Sequence, residues 1–183
     1  VWPEALRVAY APAAYFRPLR ACYGQLAVEE QRSLNIWVIA SQRLPAPCNA
    51  ALGRMGRQMV LCWQQLPEVA MLVAAACLRR RLLAEPAALA LPGPLHHFLR
   101  LHPAADRSAG VPGLSPANGV ADPLFLQQWG ALALQGMALG LPHWLGARLP
   151  LPFAGGPAVP PTCVIEPHPD LLWSALRHVE AFS

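Results

Sequence analysis

Proline decides what this chain can fold into. There are 21 prolines in 183 residues, and each lacks a backbone N–H and clashes with the carbonyl four residues back, so a helix interior does not take one without a kink. Most of them fall between apolar runs of helical spacing. The chain can therefore build short helices joined by irregular, proline-bearing connections. Capped segments of 3.6-residue periodicity recur and strand alternation does not. The expectation is an all-α fold: a single irregular helical domain over residues 1–183, with six to eight helices and little or no strand.

Along the chain, Pro3, Pro12 and Pro18 favour an extended or turning arm over residues 1–18. A short helix is expected from Leu19 to Glu30. Ser33 is placed to cap a second, with Leu34, Trp37, Val38 and Ser41 at helical spacing until Pro45 and Pro47. Asn49 would cap a third, whose Leu52, Met55, Met59, Trp63 and Leu66 form one apolar face. Pro67 suits the first turn of a fourth helix, with Glu68 where the dipole favours an acid. Val69 to Leu78 is apolar on every side, which marks the central buried helix, and Arg79 to Arg81 follow near its carboxyl end. Pro86, Pro92, Pro94 and Pro103 cut the next stretch into short pieces, Leu95 to Leu101 being the best formed. Residues 102–121 read as a mobile loop. Asp122-Pro123 form an N-cap and first-turn pair for a helix running to about Leu139. Arg148 to Phe153 reads as extended, 154–161 as a loop and Cys163 to Ile165 as one short strand. Pro169 to Phe182 closes the chain as a helix.

Composition then narrows the chemistry. Apolar residues make up 55% of the chain and charged ones 13%, about half the usual share. Part of the exterior is therefore expected to meet a partner. All fourteen cations are arginine, which excludes a Walker A lysine, a Schiff-base lysine and a kinase phosphate lysine. The net charge of +4 is mild, and Arg79-Arg80-Arg81 is the one basic run, so nucleic acid is not an expected partner. Five cysteines without a CxxC pair (Cys22, Cys48, Cys62, Cys77, Cys163) read as reduced, buried groups of a cytosolic protein. No signal-peptide pattern opens the sequence.

Candidate catalytic and metal groups are thin. His96, His97 and His102 are the densest histidine group, but on a helix His96 and His97 point about 100° apart and no other ligand type sits at metal spacing. Cys163, His168 and Asp170 are a superficial nucleophile–base–orienter trio. Such groups usually converge from separated segments, and the prolines flanking His168 constrain it without aiming it. The one adjacent carboxylate pair, Glu29-Glu30, reads as the exposed end of a helix, and no GxSxG, HExxH, GxGxxG or DxDxDG pattern is present. The 25 residues from Pro123 to Ala147 carry no formal charge, long enough for a bilayer span. Gln127, Gln128, Gln135, Pro142 and His143 argue instead for a buried helix with a polar stripe.

Two segments remain. Tyr10-Ala11-Pro12-Ala13-Ala14-Tyr15-Phe16 runs aromatic, small, Pro, small, small, Tyr and a bulky apolar residue. Arg148-Leu149-Pro150-Leu151 closes a later helical region. In motif, order and separation these resemble the SctK family, the YscK-like proteins of the bacterial type III secretion sorting platform. One departure is that members with an Arg-aromatic-Cys-Pro start have Arg and Cys where this chain has Ala9 and Ala11.

The resemblance implies a non-enzymatic adaptor without metal, nucleotide or other cofactor. It would sit at the cytosolic face of the inner membrane, joining the cytosolic domain of the ring protein SctD to SctQ-containing pods. The SctL stator and the SctN ATPase would be indirect partners. Tyr15, Arg17, Arg79, Arg80, Arg81 and Arg148 are the partner-binding candidates, and Tyr15 and Leu149 are expected to anchor both segments on the helical body. The alternative is a helical protein that binds a hydrophobic ligand or a membrane surface.

Overall fold

The computed structural model describes residues 3–48, 51–102, 118–137, 140–153 and 169–182. These are helical throughout, with no strand among them. The all-α expectation holds, with more and shorter helices than expected: ten α-helices and three 3₁₀ segments among the described residues. Two compact units divide the chain, one made of residues 1–64 with 138–156, the other of 65–137 with 157–183.

The first unit opens with α1 (Pro3–Tyr10), where an extended arm was expected. Pro3 occupies the first helical position, where its missing N–H costs nothing, and Glu4 sits at the positive end of the dipole. A 3₁₀ turn at Pro12–Ala14 leads into α2 (Arg17–Tyr23). Next, α3 (Val28–Ser41) starts well before Ser33, because the Glu30 carboxylate accepts the Ala27 N–H at 2.8 Å and closes the amino end. Ser33 merely donates its hydroxyl to the Glu29 carbonyl inside the helix. The third expected helix is interrupted: α4 covers Arg54–Leu61, Cys62 ends it and a 3₁₀ turn follows at Trp63–Gln65. Asn49 lies outside the described residues. Later in the chain this unit adds α9 (His143–Gly146). Its core includes Ala13, Val38, Leu44 and Leu151, flanked by Phe16, Leu19, Tyr23, Leu34 and Ile39.

In the second unit α5 (Leu66–Cys77) starts with Pro67 and Glu68 in its first turn, and Val69, Ala70, Leu72, Val73, Ala74, Ala75 and Ala76 are all buried. Each buried Leu or Val stabilises by about 1.5–3 kcal/mol. The arginine triplet does not extend α5; it opens a separate helix, α6 (Arg79–Leu83). A 3₁₀ segment at Pro86–Ala90, α7 (Gly93–Leu101), α8 (Pro123–Met137) and α10 (Pro169–Phe182) complete the unit. The most extensive packing is between α5 and α8. It depends on Gly130, where a Cβ would lie 1.9 Å from the Ala70 carbonyl oxygen.

The start of α8 has two supports. Asp122 caps it, accepting the Leu124 N–H at 2.9 Å. Glu85 reaches across to accept the N–H groups of Val120 and Ala121 at 2.7 and 2.9 Å. Gly119, with φ of +92°, supplies the left-handed bend, and a side chain there would strike that carboxylate. The uncharged stretch is thus a 15-residue buried helix followed by separate short elements. No single helix among the described residues is long and apolar enough to cross a membrane. The expected strand at Cys163–Ile165, most of the 102–121 loop and the 154–161 loop lie outside the described residues.

Candidate functional site

The two signature segments, about 140 residues apart in sequence, meet in space. Arg148 makes the junction. After α9 the chain winds through successive turns, with N–H to C=O bonds of 3.0–3.1 Å linking Arg148 to Leu145, Leu149 to Gly146, Leu151 to Arg148 and Phe153 to Pro150. This stretch is turned rather than extended, because Pro150 and Pro152 interrupt helix continuation while still allowing three-residue closures.

From this winding the Arg148 side chain runs inward and is 1% exposed. Its Nη1 donates to the carbonyls of Trp144 at 2.6 Å and Pro45 at 3.0 Å, and Nη2 donates to the Ala9 carbonyl at 3.0 Å. The guanidinium carbon also lies 5.7 Å from the Trp144 ring centroid. Ala9 is one residue from the end of α1, so the cation meets the negative end of that helix dipole. Burial lowers the Arg148 pKa from its ordinary value, with Tyr10 opposing the shift. Three carbonyls and a ring face take the place of a carboxylate counter-ion.

A second bond ties the segments together: the Arg17 N–H donates to the Leu151 carbonyl at 3.0 Å. Asn35 of α3 holds the proline turn from the other side. Its Oδ1 accepts the Ala13 N–H at 3.0 Å and its Nδ2 donates to the Tyr23 hydroxyl at 2.9 Å. Tyr15 is buried, and burial raises its phenol pKa.

Of the candidate residues, Tyr15 and Arg148 therefore lie inside the first unit, where they shape the surface without reaching it. Arg17 is exposed at the seam. Arg79 is half-buried, while Arg80 and Arg81 are exposed on α6 of the second unit. Sequence reading missed Asn35 and Tyr23, since nothing in their spacing signals a polar pair bridging three elements. It also grouped all the cysteines as buried; Cys62 and Cys77 are, but Cys22 and Cys48 are exposed.

Among its exposed arginines and glutamates this unit also leaves large apolar side chains on its surface. Tyr10 is 60% exposed, Val28 75%, Ile36 63% and Trp37 53%. Trp37 meets Phe16 at 6.4 Å between ring centroids. Val38 is the one fully buried residue of α3, so most of that helix's surface remains available.

In the second unit, His97 and His102 of the histidine group read from the sequence gather with His178, which that reading did not include. His97 stacks on His178 of α10 at 5.5 Å, and Phe98 lies 5.2 Å from His178 and 4.5 Å from His102. His178 Nε2 is 3.0 Å from the Pro94 carbonyl, an acceptor only, so this nitrogen carries the proton. No group of three or more metal-ligating side chains occurs among the described residues. Cys163 and His168 lie outside them, leaving Asp170 in the first turn of α10.

An all-α chain whose two signature segments are bonded together within one of its units is the class that fold and site define. The chain belongs to the OrgA_MxiK family of bacterial type III secretion apparatus proteins, whose family model matches residues 5–167. That stretch contains both segments and most of both units. No curated protein and no solved structure matches the chain.

Proposed function

We propose that this chain is a non-enzymatic adaptor of the type III secretion sorting platform. It joins the cytosolic domain of SctD to the SctQ pods at the cytosolic face of the inner membrane, and secretion requires it. The observation that carries this reading is the Arg148 junction. A buried cation that bonds the last turn of α1, the segment that follows α3 and the helix α9 fixes a surface in place, and the helix most open on that surface presents Val28, Ile36 and Trp37 to solvent. Exposed apolar and aromatic side chains on a rigid support are what a protein-binding surface needs.

The test is reconstitution. The full chain, the SctD cytosolic domain and SctQ are mixed pairwise and together, then resolved by size-exclusion chromatography with light scattering. A three-component complex that requires this chain is expected. Failure to bind either partner, with the chain folded, overturns the adaptor reading.

One observation favours the alternative of a hydrophobic ligand. In the second unit a cleft of about 300 Å³ is lined by Met71, Leu72, Leu95 and Val179, with Glu68 and His178 also lining it. That is the lower bound for a small-molecule site. Solvent-exchange NMR with apolar probes would fill it if it serves that purpose.

A further inference from the structure

The first unit contains a groove whose lining specifies more than apolar contact. About 390 Å³ in volume, it lies between α1, α2 and α3, with Tyr10 and Tyr23 opposite Val28, Arg32, Ile36 and Ile39. Arg32 is its one charged lining residue. Among the described residues no carboxylate lies within ion-pair distance of Arg32. Glu30, on the same helix, is already engaged at the Ala27 N–H.

Charge in the sequence reinforces the local picture. Residues 1–64 and 138–156 hold eight of the fourteen arginines and three of the ten acidic residues, a net of +5. The remaining residues hold six arginines and seven acids, a net of −1. The chain's net positive charge thus resides in the unit that contains the groove, and only Arg148 among that unit's eight cations is fully buried. Such asymmetry steers an anionic partner to one half of a molecule.

We infer that this groove docks a segment of another protein that combines carboxylates with apolar side chains: its apolar residues seat against Ile36, Ile39 and Val28, and a carboxylate pairs with Arg32. This rests on the adaptor reading for the surface and adds the chemistry of its occupant. A concave site of this size takes two or three side chains, and the tyrosine rings supply broad contact with little entropy to lose. An anionic bilayer fits less well. Glu29 and Glu30 stand exposed at the start of α3 beside Val28 and would be driven against the headgroups.

The test uses the full-length chain in type III-secreting bacteria, with the photo-crosslinker p-benzoylphenylalanine at position 36, where the native side chain is exposed and its replacement leaves the core intact. Cross-linked peptides are mapped by mass spectrometry, with and without Arg32→Glu. The inference is supported by a cross-link to a defined segment of another protein that carries Asp or Glu among apolar residues, and that falls about tenfold with Arg32→Glu. A cross-link to a segment without acidic residues, to lipid, to a second copy of this chain, or to nothing overturns it. So does a cross-link indifferent to Arg32→Glu. Because reconstitution with SctD and SctQ uses the unaltered chain, the adaptor reading is judged separately. A bridging complex with no groove cross-link defeats only the groove, and an acidic-segment cross-link without bridging defeats only the adaptor role.

Discussion

At the scale of single residues, Arg148 shows how a short motif can act through the fold from a buried position. A guanidinium fork presents donors in several fixed directions, so it can satisfy three carbonyls from separate elements while remaining charged. Replacing it with Met keeps volume but leaves the Ala9, Pro45 and Trp144 carbonyls without that donor, and charge-assisted bonds stabilise by about 1.5–3 kcal/mol each. Arg148→Met is therefore expected to lower stability by about 3 kcal/mol or more, and Arg148→Lys by less, read as a fall in the urea midpoint at unchanged slope. His178 makes the opposite argument about charge. Burial lowers its pKa first, the His97 and His102 charges push the same way, and the bond to Pro94 opposes them. The folded state thus prefers neutral His178, and burial lowers His102 as well. Below about pH 6.5, the ordinary histidine value, the unfolded chain binds more protons than the folded one. The stabilisation is complete above that pH and is lost as pH falls through the lowered folded values. Thermal midpoints measured between pH 8 and pH 5 should fall on the acid side, and His178→Gln should flatten part of that fall.

At the scale of elements, the tightest glycine contact among the described residues is α8 against α5 at Gly130. A Cβ there would overlap the Ala70 backbone rather than a yielding side-chain tip, so the helices must part. Gly130→Ala is expected to destabilise by about 3 kcal/mol, as overpacking does, even though alanine is the better helix former. Gly93→Ala is the control, with nothing within 4 Å of its added carbon, and its denaturation midpoint should barely move. These two glycines look alike in sequence, which marks the limit of what was legible there. Local chemistry was readable: Pro67 and Glu68 opening α5, Asp122 and Pro123 opening α8, and the all-round apolar run that makes α5 central. Chemistry settled by partners far along the chain was not. Nothing near Pro3 announces that Ala9, in the last turn of its helix, will meet a cation from residue 148. Nor does the apolar face from Leu52 to Leu66 reveal the break at Cys62. The two signature segments were legible as a pair by resemblance, while their bonding through Arg148, Arg17 and Asn35 required the fold.

At the scale of the whole molecule, scarce charge and its uneven distribution decide how association should behave. With 13% charged residues, each exposed arginine of the first unit contributes a large share of the local field, whereas the rest of the chain is near neutral. Association with the SctD cytosolic domain should therefore weaken as salt rises, through slower encounter more than faster release. Arg17 is the sharpest probe, because its side chain is exposed where the two signature segments join, and its backbone N–H bond to the Leu151 carbonyl survives a change of side chain. Arg17→Glu keeps that bond and reverses the charge. It should leave the thermal midpoint within a degree or two and weaken SctD binding about tenfold at low ionic strength. Arg100→Glu makes the same change on an exposed position of α7, in the unit of nearly balanced charge, and should stay within about twofold of the parent. Titrations of both variants at low and physiological salt separate a local contact from a general field. If the two lose affinity equally, net charge alone governs docking. An unchanged affinity for Arg17→Glu at low salt would take Arg17 out of the interface and leave the first signature segment with its structural role at the Arg148 junction.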